Sequence, residues 1–136
     1  GFIGSPPMNF FEGEFVQESD GLFFKGDGFT VKVDDAHVEK LKAANLDKIT
    51  LGVRPENIQD AAFAVNPEPK TLVKAKVEVV EPMGSEVYLY LTLGEHNFIA
   101  RVDSHEQAHV NQEVSLAFDM AYASYFSQEG EGPRIV

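Results

Sequence analysis

Short stretches in which apolar and polar residues alternate make up most of the second half of the chain. Alternation with a period of two predicts β-strands, because successive side chains of a strand point to opposite faces. The positions predicted to share one face are Val77 and Val79; Leu89, Leu91 and Leu93; Phe98, Ala100 and Val102; and Val114, Leu116 and Phe118. Polar or glycine-containing turns are predicted between these strands, at residues 82–85, 94–95 and 104–112.

The first half of the chain also favours strands. Residues 22–24 and 29–33 are rich in β-forming residues and flank the turn-prone sequence at 26–28, a pattern typical of a hairpin. A further short apolar strand is predicted at residues 49–53.

One helix is predicted, from residue 35 to about residue 44. Asp34 is placed to cap its start, Val38 and Leu41 fall on one face, and Asn45 suits a left-handed stop. Many short strands with one small helix indicate a mainly β fold, either a compact barrel or a sandwich.

Composition limits the classes of partner. The 136 residues are enough for one domain with its own core, and no apolar stretch reaches the roughly 20 residues of a membrane span. The absence of cysteine excludes disulfides and thiolate zinc sites. The net charge of −11 argues against nucleic acid and against direct contact with an anionic membrane surface, so a protein or a neutral ligand is the better expectation.

Residues 105–109 fit the zinc-hydrolase pattern His-Glu-x-x-His, with His105 and His109 as ligands and Glu106 as the base. The surrounding segment is short and polar, and no histidine follows His109 to complete the site. A zinc hydrolase therefore stays a remote alternative, and the match is interpreted as fortuitous, with no metal, catalytic or cofactor-binding residue assigned.

ATP hydrolysis is not expected from these residues. A phosphate-binding loop ends in Gly-Lys-Ser/Thr, and the chain contains no Gly-Lys dipeptide. The glycine-rich stretch at residues 25–28 has an aspartate at its centre and is better interpreted as a hairpin turn.

Several short motifs carry a resemblance to a known family. They are residues 51–56 (Leu-Gly-Val-Arg-Pro-Glu), 77–86 (Val-Glu-Val-Val-Glu-Pro-Met-Gly-Ser-Glu), 100–103 (Ala-Arg-Val-Asp), 114–119 (Val-Ser-Leu-Ala-Phe-Asp), Phe126 before Gly130, and residues 4–6 and 8–10 near the start. In this order and spacing, the chain resembles the C-terminal domain of ATP-binding subunits of ABC-type sugar importers. Asn111 stands where that family tends to have glycine, and asparagine also tolerates positive φ.

The resemblance implies an OB-like β-barrel of the TOBE or MOP type, with its one short helix near 35–44. It implies that residues 1–9 end a linker from an upstream ATPase domain and that residues 10–136 form a single regulatory and dimerisation domain. ATP and Mg²⁺ would bind only in the upstream domain. The implied partners are a second copy of the chain, the membrane subunits of the transporter and a regulatory protein, at the cytoplasmic face of the cell membrane.

Surface candidates for these contacts lie near the start of the chain and in two turns. They are Phe2, Pro6, Met8, Asn9 and Phe10, then Arg54, Pro55 and Glu56, then Gly84, Ser85 and Glu86. Phe10 and Phe11 are adjacent, so one of them is expected to face away from the core, and Arg54 is expected to pair with Glu56 or Glu86.

A free-standing OB- or MOP-like module that binds a small ligand is the main alternative. The negative charge argues against an anion and leaves a neutral glycan open. Tyr88 and Tyr90 share the face opposite Leu89 and Leu91, where they either pair across strands or stack on sugar rings.

Overall fold

The computed structural model of the chain describes residues 6–103, 108–127 and 134–136. Within them lie the strands β1 (Asn9–Glu18), β2 (Gly21–Gly26), β3 (Phe29–Lys32), β4 (Lys48–Val53), β5 (Ile58–Asp60), β6 (Leu72–Met83), β7 (Glu86–Leu93), β8 (His96–Asp103), β9 (Glu113–Phe118) and β10 (Ser124–Ser127). The helix α1 (Val38–Ala44) connects β3 to β4.

The strands form two antiparallel sheets. The first sheet has the order β10-β4-β1-β2-β3, and the second has the order β5-β9-β6-β7-β8. The chain passes from the first sheet to the second after β4 and returns with β10. Together the sheets make a nearly closed OB-like barrel, which confirms the predicted mainly β barrel.

The hairpin and the helix confirm the predictions made from turn and cap residues. β2 and β3 pair around Asp27 and Gly28, and Gly28 has a φ of 85°. The Oδ1 of Asp34 accepts a hydrogen bond from the N–H of Ala36, and a 3₁₀ turn at Asp35–His37 precedes α1. The helix ends at Asn45, whose backbone has the left-handed conformation, with φ 50° and ψ 51°.

Phe11 lies at the centre of the core, between the two sheets. Its ring is 1% exposed and makes contacts with Phe29 of the first sheet and with Phe98 and Phe118 of the second, at centroid distances of 5.3, 5.2 and 5.7 Å. The pairs with Phe29 and Phe98 are edge-to-face, and such aromatic pairs add to the gain from burial.

The prediction that Val77 and Val79 share one face is wrong. A β-bulge in β6 shifts the register against β7 between these two residues. Val77 is fully buried, whereas Val79 is 50% exposed and Val80 packs toward the core instead. One extra residue in a strand reverses the face of every residue after it.

Asn9 joins the two sheets where the barrel closes. Its Nδ2 donates to the carbonyl of Ile99 at 2.8 Å, and its Oδ1 accepts from the N–H of Ile99 at 2.9 Å. The side-chain amide therefore pairs with the edge of β8 as a backbone amide would. In β1, Asn9 also lies opposite Val53 of β4.

A second link between the sheets lies at the β2–β3 and β7–β8 turns. The N–H of Asp27 donates to Nε2 of His96 at 3.1 Å, and Oδ2 of Asp27 accepts from the N–H of Glu95 at 2.9 Å. The imidazole packs against Phe11 and Phe29. Burial lowers the pKa of His96, and the nearby carboxylates of Asp27, Glu12 and Glu95 offset this only in part.

We expect Asn9→Ala to lower the free energy of unfolding by about 1–3 kcal/mol, because two partly buried hydrogen bonds across the barrel seam are lost. Urea denaturation followed by circular dichroism measures this loss. The matched control is Asn97→Ala at an exposed position, which should change stability by less than about 0.5 kcal/mol. Equal effects of the two variants would show that the amide of Asn9 does not hold the seam.

We expect stability to fall as the pH drops below about 6.5, partly because of His96. The folded state holds this imidazole neutral as the acceptor of the Asp27 N–H, whereas the unfolded state takes up a proton. The contribution of His96 to the free energy of unfolding is complete above about pH 6.5. It declines as the pH falls toward the lower pKa that His96 has in the folded state. His96→Gln should flatten the pH dependence of the urea midpoint between about pH 5 and 7. An unchanged slope in this variant would contradict the assignment.

Candidate functional site

A patch that contains two aromatic rings lies on part of the outer face of the first sheet. We define it as Met8, Phe10 and Phe126. Phe10 is 57% exposed, and its ring packs edge-to-face on Phe126 at a centroid distance of 5.7 Å. Met8 and Phe126 are half-buried beside it. An apolar cluster with a large exposed member is a candidate interaction surface.

The position of the patch follows from strand alternation. Phe11 is buried in the core, so its neighbour Phe10 must point outward from β1. Phe10 lies opposite Gly52 of β4, and Ser124 of β10 lies opposite Gly52 on the other side. Because residues two apart share a face, Phe126 is also on the outer face.

Gly52 makes room for the patch. A Cβ atom at this position would overlap Sδ of Met8 and would lie 3.0 Å from Cε2 of Phe126. The missing side chain therefore lets Met8 and Phe126 come close to the backbone of β4. Sequence reasoning quoted this glycine only as part of a motif and assigned it no role at the surface.

The Arg54 turn differs from the expectation. Pro55 is buried, so it cannot be a surface residue, while Arg54 is exposed and Glu56 is half-buried. Among the described residues, no ion pair within 4.0 Å includes Arg54. The predicted pairing of Arg54 with Glu56 or Glu86 is therefore wrong for these residues.

Glu86 pairs with a different arginine. Its Oε2 lies 3.0 Å from Nε of Arg101 on the neighbouring strand β8. Gly84 and Ser85 form the two-residue turn between β6 and β7, with Gly84 at a φ of 78° and both residues exposed. A positive φ at the first turn residue suits a tight hairpin, so this turn has a structural explanation that needs no partner.

Some of the remaining candidates lie among the residues that the structure describes, and others do not. Asn9 is buried, and its amide is used within the barrel, while Pro6 is half-buried. Phe2, His105 and Glu106 lie outside the described residues. His109 is exposed, and its N–H donates to Oε1 of Gln112 at 2.9 Å. In the described ranges, no group of three potential metal ligands comes together.

The barrel defines the chain as an OB-fold protein. A solved structure of the cytoplasmic molybdate-binding protein ModG, with molybdate bound, superposes with a TM-score of 0.66 over 92% of this chain and 99% of that chain. The sequence identity is 11%, so the similarity concerns the fold alone.

Sequence comparison then gives the family. The model of the TOBE domain matches residues 51–126, and the model of the MalK OB fold domain matches residues 4–58. The chain therefore belongs to the TOBE domain family, with an OB fold of the MalK type in its first part.

Several curated relatives are a little over one third identical to the chain in sequence, over nearly its whole length. The multiple sugar-binding transport ATP-binding protein MsmK of Streptococcus mutans is 38% identical over 96% of this chain and 34% of its own length. The oligosaccharides import ATP-binding protein MsmX of Bacillus subtilis is 36% identical over 96% and 35%. The trehalose/maltose import ATP-binding protein MalK of Thermococcus litoralis is 35% identical over 94% and 34%.

The chain thus spans about a third of the length of these relatives. No helix among the described residues is long and apolar enough to cross a membrane.

Proposed function

We propose that the chain is the C-terminal regulatory and dimerisation domain of the ATP-binding subunit of an ABC importer for sugars. Similarity to three sugar-import ATP-binding proteins over more than nine-tenths of the chain supports this parentage. Residues 1–9 then lead from an upstream ATPase domain, which binds ATP and Mg²⁺ and contacts the membrane subunits. The domain works at the cytoplasmic face of the membrane, where a regulatory protein can also dock.

The role of the domain in this proposal is mechanical. Two barrels stay in contact while the ATPase domains open and close. The single observation that supports it is the aromatic patch on the outer face of the first sheet, where Phe10 is 57% exposed beside Phe126. A two-fold axis brings one such patch against its own copy, as isologous dimers require.

Charge sets the conditions under which this contact forms. Each copy carries a net charge of −11, so two copies repel each other at long range. Apolar contact between the patches acts only at short range and must overcome this repulsion. Added salt screens charges beyond about 10 Å at 0.1 M, so self-association should strengthen as ionic strength rises.

We expect Phe10→Thr to weaken self-association at least about tenfold, because a central aromatic anchor contributes more than 1.4 kcal/mol to an interface. Analytical ultracentrifugation of the chain and of its full-length parent measures the dissociation constant. Threonine keeps the β-propensity of the position, so the barrel should remain folded. The matched control is Phe63→Thr, because Phe63 is also 57% exposed but lies in the loop between β5 and β6.

Two results would contradict the proposal. An unchanged dissociation constant for Phe10→Thr would remove the patch from the interface. A full-length parent that stays monomeric at all salt and ATP concentrations would remove the dimerisation role itself.

The parentage has its own test. The reading frame upstream of Gly1 should encode a loop ending in Gly-Lys-Ser/Thr, because the ATPase domain must cradle phosphate. An unrelated upstream domain would exclude the transporter proposal and would leave the ligand-binding module as the better explanation.

A further inference from the structure

A groove of about 480 Å³ lies between the start of β1 and the outer face of β7 and β8. Met8 and Phe10 line it from the first segment, and Tyr90 lines it from the second sheet. Its volume falls within the range of small-ligand sites, which combine mostly apolar lining with a few placed polar groups.

The polar groups of the groove are Glu78, Thr92 and Asn97. Oε1 of Glu78 accepts a hydrogen bond from Oγ1 of Thr92 at 3.0 Å and lies 3.8 Å from Nζ of Lys76. These two partners hold the carboxylate, and its other oxygen is left to accept further hydrogen bonds. The side chain of Asn97 is exposed and makes no hydrogen bond with any described residue, so its amide offers both donors and an acceptor.

A bulge in β6 lies at the edge of this groove. Glu78 is the extra residue between Val77 and Val79, which pair with Leu91 and Tyr90 of β7. Thr92 lies one position beyond Leu91 and reaches the carboxylate of Glu78. Bulges are often found next to binding sites.

The aromatic ring of Tyr90 is held in place. Its hydroxyl donates to Oε1 of Glu81 at 2.9 Å, and this carboxylate raises the pKa of Tyr90, so the ring stays neutral. Phe10 presents a second, exposed ring at the groove. Two rings can cover the C–H faces of a pyranose while hydroxyl groups reach Glu78 and Asn97.

We propose that this groove binds a neutral mono- or disaccharide. A carboxylate, a free amide and two aromatic rings match the alternating polar edge and apolar face of a sugar. An anion is disfavoured, because Glu78 faces the groove and the nearby ammonium of Lys76 lies against it. The site goes beyond the proposed function, since it does not require two copies of the chain.

Phe10 belongs both to the groove and to the aromatic patch. A sugar in the groove would therefore change the self-association of the chain, and by linkage self-association would change the affinity for the sugar by the same factor.

The test is titration of the ¹⁵N-labelled chain with glucose, maltose, sucrose and raffinose, and with glycerol 3-phosphate as a charged probe. We expect saturable shifts of the Asn97 side-chain amide with at least one neutral sugar, at dissociation constants of about 1–10 mM. Absence of such shifts up to about 50 mM for all four sugars would overturn the proposal. Shifts with glycerol 3-phosphate alone would also overturn it.

Variants separate this groove from other sites. Glu78→Gln and Asn97→Ala should each weaken sugar binding about five- to tenfold, because each removes one or more direct hydrogen bonds. The matched controls are Glu14→Gln and Gln17→Ala on exposed positions of β1, which should bind as the unmodified chain does. Binding that survives both groove variants would place the sugar elsewhere and contradict the proposal.

The proposal and the dimerisation role fail independently. Sugar-dependent shifts of the Asn97 side-chain amide, together with a full-length parent that never self-associates, would support the groove and contradict dimerisation through the patch. Self-association without any sugar-dependent shift would support dimerisation and contradict the sugar-binding groove.

Discussion

Two adjacent phenylalanines in one strand set the constraint on which the barrel and its surface both depend. Strand geometry sends Phe10 and Phe11 to opposite faces, and the core can take only one of them. Phe11 joins the two sheets through Phe98 and Phe118, so its burial holds the barrel together. Phe10 is then obliged to face outward, and Phe126 covers part of it from β10. The apolar surface is thus a consequence of the core rather than a separate feature.

Local signals predicted those parts of the fold that depend on local chemistry. The Asp34 cap, the left-handed Asn45 and the turn before Gly28 act within a few residues of their own positions, so a single sequence is enough to find them. β5 and β10 were not predicted from the pattern. β5 has three residues, and β10 (Ser124–Ser127) has no clear alternation, because buried residues stand at successive positions. Such strands form because they hydrogen-bond to the edge of a strand that is distant in sequence, β9 for β5 and β4 for β10. A local sequence pattern does not contain this information.

The surface could be predicted only in part, for a related reason. Phe10 and Met8 stood out as apolar residues near the start of the chain, and the structure places them together. Asn9, between them, serves the barrel seam because the distant Ile99 offers its backbone groups. The partner of Glu86 proved to be Arg101, which is a neighbour across the sheet and distant along the chain. Side-chain pairing follows strand register, and register is set by the whole sheet.

Glu78 divides β6 into two halves whose buried positions are out of phase. Before it, Val73, Ala75 and Val77 face the core at odd-numbered positions, and after it Val80 does so at an even-numbered one. Removing one residue at this point would keep the composition of the strand and yet exchange inside for outside along its second half. The number of residues in β6 therefore matters to the fold as much as their identity does. An insertion or deletion there is a change of architecture, whereas a substitution of one valine by isoleucine would be a minor adjustment of packing.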